Sequence, residues 1–117
     1  MIEVWLDWPD SRLMPNRART MHWAQKGRVA KAARHAAWVA GLQAGLHELH
    51  AASRVRMEFE FSAPDRRKRD LDNLIAAIKP CIDGLADAIG MDDNRFDLAF
   101  TLAEPGRGDI RVRIEPR

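Results

Sequence analysis

The stretch RDLDNLIAAIKPCIDGLADAIGMDD, residues 69–93, carries a fold signal and a chemical signal together. Leu71, Leu74, Ile75, Ile78, Ile82, Leu85 and Ile89 recur at three- and four-residue spacing. That is the core-facing stripe of an amphipathic helix, predicted over residues 71–89. On a wheel turning about 100° per residue, Asp72, Lys79 and Asp83 share a polar stripe flanking the core side. Lys79 and Asp83 form an i, i+4 pair. Asp70 precedes the first turn, and Asp92 and Asp93 follow the helix end. Pro80 removes a backbone donor and predicts a kink beside Lys79.

Working outward, the flanks read as strands. In IEVWLDW, residues 2–8, Ile2, Val4, Leu6 and Trp8 alternate onto one face. In RVRMEFEFS, residues 54–62, Val55, Met57, Phe59 and Phe61 point one way, and Arg54, Arg56, Glu58 and Glu60 the other. RFDLAFTL and DIRVRIE, residues 95–102 and 109–115, alternate in the same manner, and EPGRGD between them has the composition of a hairpin turn. The Ala-rich run from Trp23 to Leu49 predicts a long helix, weakened at Gly41 and Gly45. The order is β-α-β-α-β-β, an α+β domain with two helices on one face of a small mixed sheet. Trp5, Trp8, Trp23 and Trp38 are expected in the core or at an interface.

The chain has 117 residues, 46% hydrophobic and 31% charged, the balance of a globular domain. One domain over residues 1–117 is expected. No apolar run approaches the roughly 18 residues of a membrane span. The opening residues read as a strand, not a leader. A single cysteine, Cys81, excludes an internal disulfide framework and a cysteine-based zinc site, and suits a reducing cytoplasm. Residues 1–57 hold nine Lys and Arg against four Asp and Glu, whereas residues 58–117 hold ten against thirteen. A basic front half beside acidic residues suits a polyanion held against carboxylates.

The carboxylates have two readings. Asp is a preferred N-cap, and Asp in a first helical turn complements the helix dipole. Alternatively, clustered aspartates supply the hard oxygen ligands that magnesium takes. Arg66, Arg67, Lys68 and Arg69, immediately before Asp70, would offset their repulsion of a phosphodiester. Arg17, Arg19, Lys26, Arg28 and Lys31 are further candidates for phosphate contacts, and a solvated helix face also explains Lys26 and Lys31. His22 reads as a helix-start or packing residue.

The run Asp70-Leu71-Asp72-Asn73, then Lys79-Pro80, Asp83-Gly84-Leu85 and Asp92-Asp93, resembles the signature of the RusA-type Holliday junction resolvases, small bacterial and phage endodeoxyribonucleases. PNRARTMHW, residues 15–23, is similar to the basic loop such proteins carry before their long helix. One departure is visible: many members carry the lysine three residues after the Asp-x-Asp-Asn run, where this chain has Ala76. The resemblance implies a homodimeric, Mg²⁺-dependent nuclease, with Mn²⁺ as the other candidate ion, cutting four-way DNA junctions. It implies Asp70, Asp72 and Asp93 as metal ligands with Asp92 as neighbour or alternate. Lys79 would be the electrostatic helper, Asn73 would orient Asp72 or the motif backbone, and Asp83 would support Lys79. The rival expectation is a branched-DNA-binding dimer with the same fold and weak or absent cleavage.

Overall fold

Period-two alternation produces strands here, and three-four spacing produces helices. The computed structural model describes residues 1–15 and 23–117. Arg17, Arg19 and His22 lie outside the described residues, as does most of the basic loop that contains them. The elements are β1 (Ile2–Asp7), α1 (Trp23–Gln43), β2 (Val55–Ser62), α2 (Leu71–Ala77), α3 (Lys79–Ile89), β3 (Phe96–Leu102) and β4 (Asp109–Pro116). The four strands form one mixed sheet in the order β1-β4-β2-β3. β4 is antiparallel to β1 and β2, and β3 runs parallel to β2. A parallel pair needs a crossover, which α2 and α3 supply.

The core forms where the strand and helix stripes meet. Val4, Val55, Met57, Phe59, Phe61, Ile110, Val112 and Ile114 from the sheet are buried, as are Leu74, Ile78, Ile82, Leu85 and Ile89 from the helices. Each such side chain contributes on the order of 1.5–3 kcal/mol of burial free energy. The alternate face of the sheet carries ion pairs: Arg107 and Arg111 both reach Glu60, and Arg113 reaches Glu3.

The structure departs from three sequence expectations. The helix predicted over 71–89 is two helices, broken at Ile78 (φ −94°, ψ 4°), so among the described residues the order is β-α-β-α-α-β-β with three helices. Pro80 explains the break: it lacks the N–H that a continuous helix would direct to the carbonyl of Ala76, and its ring crowds that carbonyl. The helix beginning at Trp23 stops at Gln43 because Gly45 turns left-handed (φ 87°), and a 3-10 turn, Leu46–Leu49, replaces its last part.

The third departure concerns EPGRGD, which is not a hairpin turn, because β3 and β4 sit on opposite sides of β2. The connection crosses the end of β2 and is tied to it. The N–H of Ala103 donates to the Phe61 carbonyl at 2.8 Å, and that of Gly106 to the Ala63 carbonyl at 2.7 Å. Buried Ser62 donates its hydroxyl to the Glu104 carbonyl and accepts from the Arg107 N–H.

The tryptophans are not uniformly interior. Trp8 is half-buried with its ring edge-on to Phe61, whereas Trp5, Trp38 and above all Trp23 are exposed. No described helix is long and apolar enough to cross a membrane.

Candidate carboxylate–lysine site

The break that Pro80 imposes also places Lys79. Pro80 stands in the first turn of α3, where backbone N–H groups have no helical partner and a missing one costs little. Lys79 therefore opens α3. Its Nζ donates to Asp83 Oδ1 at 2.7 Å, one turn along the helix, and to Asp93 Oδ2. Asp93 arrives because Gly90 ends α3 in the left-handed region (φ 80°) and buried Met91 pins the returning chain. The hydrogen bonds to Asp83 and Asp93 hold the Lys79 ammonium above its ordinary pKa. The same ammonium holds the Asp93 carboxyl below the usual carboxylate range.

The other acids divide by role. Asp92 Oδ1 accepts from the Asn94 N–H at 2.9 Å and caps the 3-10 turn Asp93–Arg95. Asp70 stands at the N-cap of α2 with extended backbone (φ −93°, ψ 125°), yet its side chain makes no capping hydrogen bond. Asp72 follows in the first turn and is exposed. Among the described residues neither carboxylate is engaged in a hydrogen bond or ion pair, and Asn73 makes no side-chain hydrogen bond to Asp72. The structure thus joins Lys79 to Asp83 and Asp93, and among the described residues leaves Asp70 and Asp72 unbonded.

The basic run divides in the same way. Asp65 accepts from Arg69 Nη1 at 2.7 Å, from the Arg67 N–H at 3.0 Å and from Arg67 Nε at 3.2 Å. Arg69 comes first among the groups holding the Asp65 carboxyl far below its ordinary range. Arg69 also lies over the Trp8 ring at 5.5 Å, and its side chain is only 15% exposed. It folds the turn, and its charge is already partnered. Arg66 and Lys68 are exposed and, among the described residues, unpaired, so they point outward as phosphate contacts would. Lys26 and Arg28 are exposed in the first turns of α1.

Carboxylates are the hard oxygen donors magnesium prefers, so the donor type fits a divalent ion. Their arrangement does not yet converge. Among the described residues no three Asp, Glu, His or Cys side chains are grouped to hold one.

Sequence reasoning missed the Lys79–Asp93 bond, which joins α3 to the segment beyond Gly90. The glycine after the helix and the apolar Met91 were its only signals. It also missed Arg34–Asp87, a two-pronged pair at 2.7 and 2.9 Å between α1 and α3. A cleft of about 760 Å³ between the end of β1 and α1 is lined by Trp5, Trp8, Arg28 and Cys81, and by none of the motif aspartates.

No protein-family model matches the chain. It is 40% identical over 98 residues to an uncharacterized protein of Xylella fastidiosa strain Temecula1, a match covering 82% of this chain and 63% of that protein. The chain therefore spans less than two thirds of that relative's length.

Proposed function

We propose that residues 1–117 form a single RusA-like endodeoxyribonuclease domain that works in the cytoplasm as a homodimer. It resolves four-way DNA junctions in recombination and repair by paired symmetric, Mg²⁺-dependent phosphodiester cuts. The observation that carries this reading is the Asp70 carboxylate. It stands at a helix N-cap and does not cap, so the fold gains no hydrogen bond from an acid that a DNA-facing surface would otherwise disfavour. Asp72 beside it is equally uncommitted, and exposed Arg66 and Lys68 stand just before both.

In this reading Asp70, Asp72 and Asp93 hold the divalent ion, with Asp92 adjacent. When bound, the ion polarises a phosphoryl oxygen and lowers the pKa of a water. Lys79 keeps a positive charge where the phosphate gathers negative charge, and Asp83 steadies it. Arg66, Lys68, Lys26 and Arg28 position the backbone of the junction without reading its sequence. A two-fold dimer matches the substrate, because two equivalent sites meet two equivalent strands. Exposed Leu98 and Leu102 on edge strand β3 offer apolar surface for a second copy.

A second reading, a junction-binding dimer with weak or absent cleavage, is favoured by one observation: Asp93 is bonded to Lys79, and among the described residues no three carboxylates converge. Asp72→Asn separates the two readings. A nuclease loses cutting and keeps junction binding, whereas a pure binder shows no metal-dependent cutting to lose.

A further inference from the structure

We infer that the open hollow where α1 meets α3 is a phosphodiester-binding subsite, holding a DNA strand beyond the carboxylate–lysine site. Lys31, Arg34, His35 and Trp38 of α1 and Asp87 of α3 line it, and its volume is about 370 Å³. The inference rests on the DNA-binding part of the reading above. It goes beyond that reading by assigning residues that the aspartate motif does not contain.

Charge sets this face apart. Over 21 residues α1 carries Lys26, Arg28, Lys31 and Arg34 and no Asp or Glu. On the sheet, by contrast, arginines come with acids: Arg54 and Arg117 reach Asp97, Arg56 reaches Glu58, and Arg113 reaches Glu3. Lys31 is exposed and, among the described residues, forms no ion pair. A helix face rich in bases and without acids of its own attracts a polyanion.

The donors are grouped as one phosphate needs them. Arg34 and His35 stand three and four residues from Lys31, so each is its helical neighbour, with Cβ atoms roughly 5–6 Å away. Asp87 accepts from Arg34 Nε at 2.7 Å and from Nη2 at 2.9 Å. That grip orients the guanidinium and, among the described residues, leaves Nη1 for another acceptor. The Trp38 ring, with its centroid 5.5 Å from that of His35, gives the hollow an apolar wall for a deoxyribose.

The hollow also lies in line with the candidate site. Hydrogen bonds to Asp87 foremost, and the charge of Asp83 after them, hold the Arg34 guanidinium above its ordinary pKa. Asp83 is the same carboxylate that accepts from Lys79. Asp87 follows Lys79 by about two turns of α3, roughly 12 Å. Each DNA strand carries a phosphate per about 3.4 Å of axis, so a strand leaving Lys79 meets the hollow a few nucleotides on.

The test measures binding of a labelled four-way junction and a linear duplex in EDTA, by fluorescence anisotropy over a range of salt concentrations. It compares the wild-type chain with Lys31→Gln, Lys31→Arg and Arg113→Gln. Lys31→Gln should bind both DNAs about five- to tenfold more weakly near 0.1 M salt, with a salt slope shallower by about 0.9. Lys31→Arg keeps the charge and should stay within about twofold of wild type. Arg113→Gln removes the same charge from the opposite face of the sheet and should also stay within about twofold. Unchanged binding by Lys31→Gln overturns the inference, and so does an equal loss in Arg113→Gln, which would reduce the effect to net charge. Wild-type binding to neither DNA overturns the inference together with the junction reading. Weaker binding by Lys31→Gln, with no cutting by the wild-type chain in Mg²⁺, supports the inference and sinks only the nuclease reading.

Discussion

Gly84 in α3 lies so close to Arg34 in α1 that a Cβ on the glycine would fall 2.2 Å from the arginine's carbonyl oxygen. It would also fall 2.9 Å from the Ala37 Cβ. Backbone cannot yield as a flexible side chain does, so Gly84→Ala should destabilise the chain by about 2 kcal/mol or more, despite alanine's better helix propensity. Gly27, exposed in α1 with nothing within 4 Å of an added Cβ, is the control. Gly27→Ala should stabilise by about 0.5–1 kcal/mol. Urea denaturation of both variants checks the pair.

The capping geometry predicts a contrast between two aspartates. Asp92 caps the 3-10 turn and Asp70 caps nothing. Asp92→Ala should therefore cost about 0.5–1 kcal/mol. Asp70→Ala should stay within about 0.5 kcal/mol of the parent. Thermal melts decide it, and a loss for Asp70→Ala as large as that for Asp92→Ala would return Asp70 to a structural role.

Asp72→Asn removes a charge that no partner balances among the described residues. Its stability should change by less than about 0.5 kcal/mol. Junction affinity should hold or rise as repulsion of phosphate falls, while cleavage falls by about 100-fold or more. Gel-shift and cleavage assays on one preparation give both numbers.

Acid stability follows from the ion pairs. Lys79 lowers the pKa of Asp93, Arg34 that of Asp87, and Arg54, followed by Arg117, that of Asp97. Each folded-state value lies below the unfolded one, so the stabilisation is present above the unfolded carboxyl pKa of about 4 and lost as pH falls further. The melting temperature should be nearly flat from about pH 5 to 7 and fall below about pH 4, less steeply at high salt.

Cys81 should be a slow thiol. Burial, followed by the charge of Asp7, pushes its pKa up to about 11. Its alkylation at neutral pH should lag well behind that of a free thiol with a pKa of about 8.5, and should rise steeply above about pH 10. Because the folded value is the higher one, stability should also decline as pH climbs from the unfolded value toward the folded one.

Much of the fold was legible because its strands alternate cleanly. Val55 to Phe61 and Ile110 to Ile114 declare one buried face each, and both are buried as read. Turn chemistry was less legible. EPGRGD has hairpin composition, but composition does not reveal that β4 pairs with β1 and β2 and not with β3. At the site, the i, i+4 pair of Lys79 and Asp83 was visible, and so was the disturbance at Pro80. The wheel failed beyond Ile78, since a phase computed through a continuous helix has no meaning across a break. The long-range meeting of Lys79 with Asp93 had no periodic signal at all. Nor did the division of the basic run, where Asp65 and Trp8 engage Arg69 and leave Arg66 and Lys68 outward.

The most direct test of the account is incubation of the purified chain with a labelled synthetic four-way junction and a matched linear duplex, in Mg²⁺ and in EDTA. Paired symmetric nicks in the junction, absent from the duplex and abolished by EDTA, are the expected result. Junction binding with no cuts in Mg²⁺, or equal cutting of the linear duplex, would contradict it.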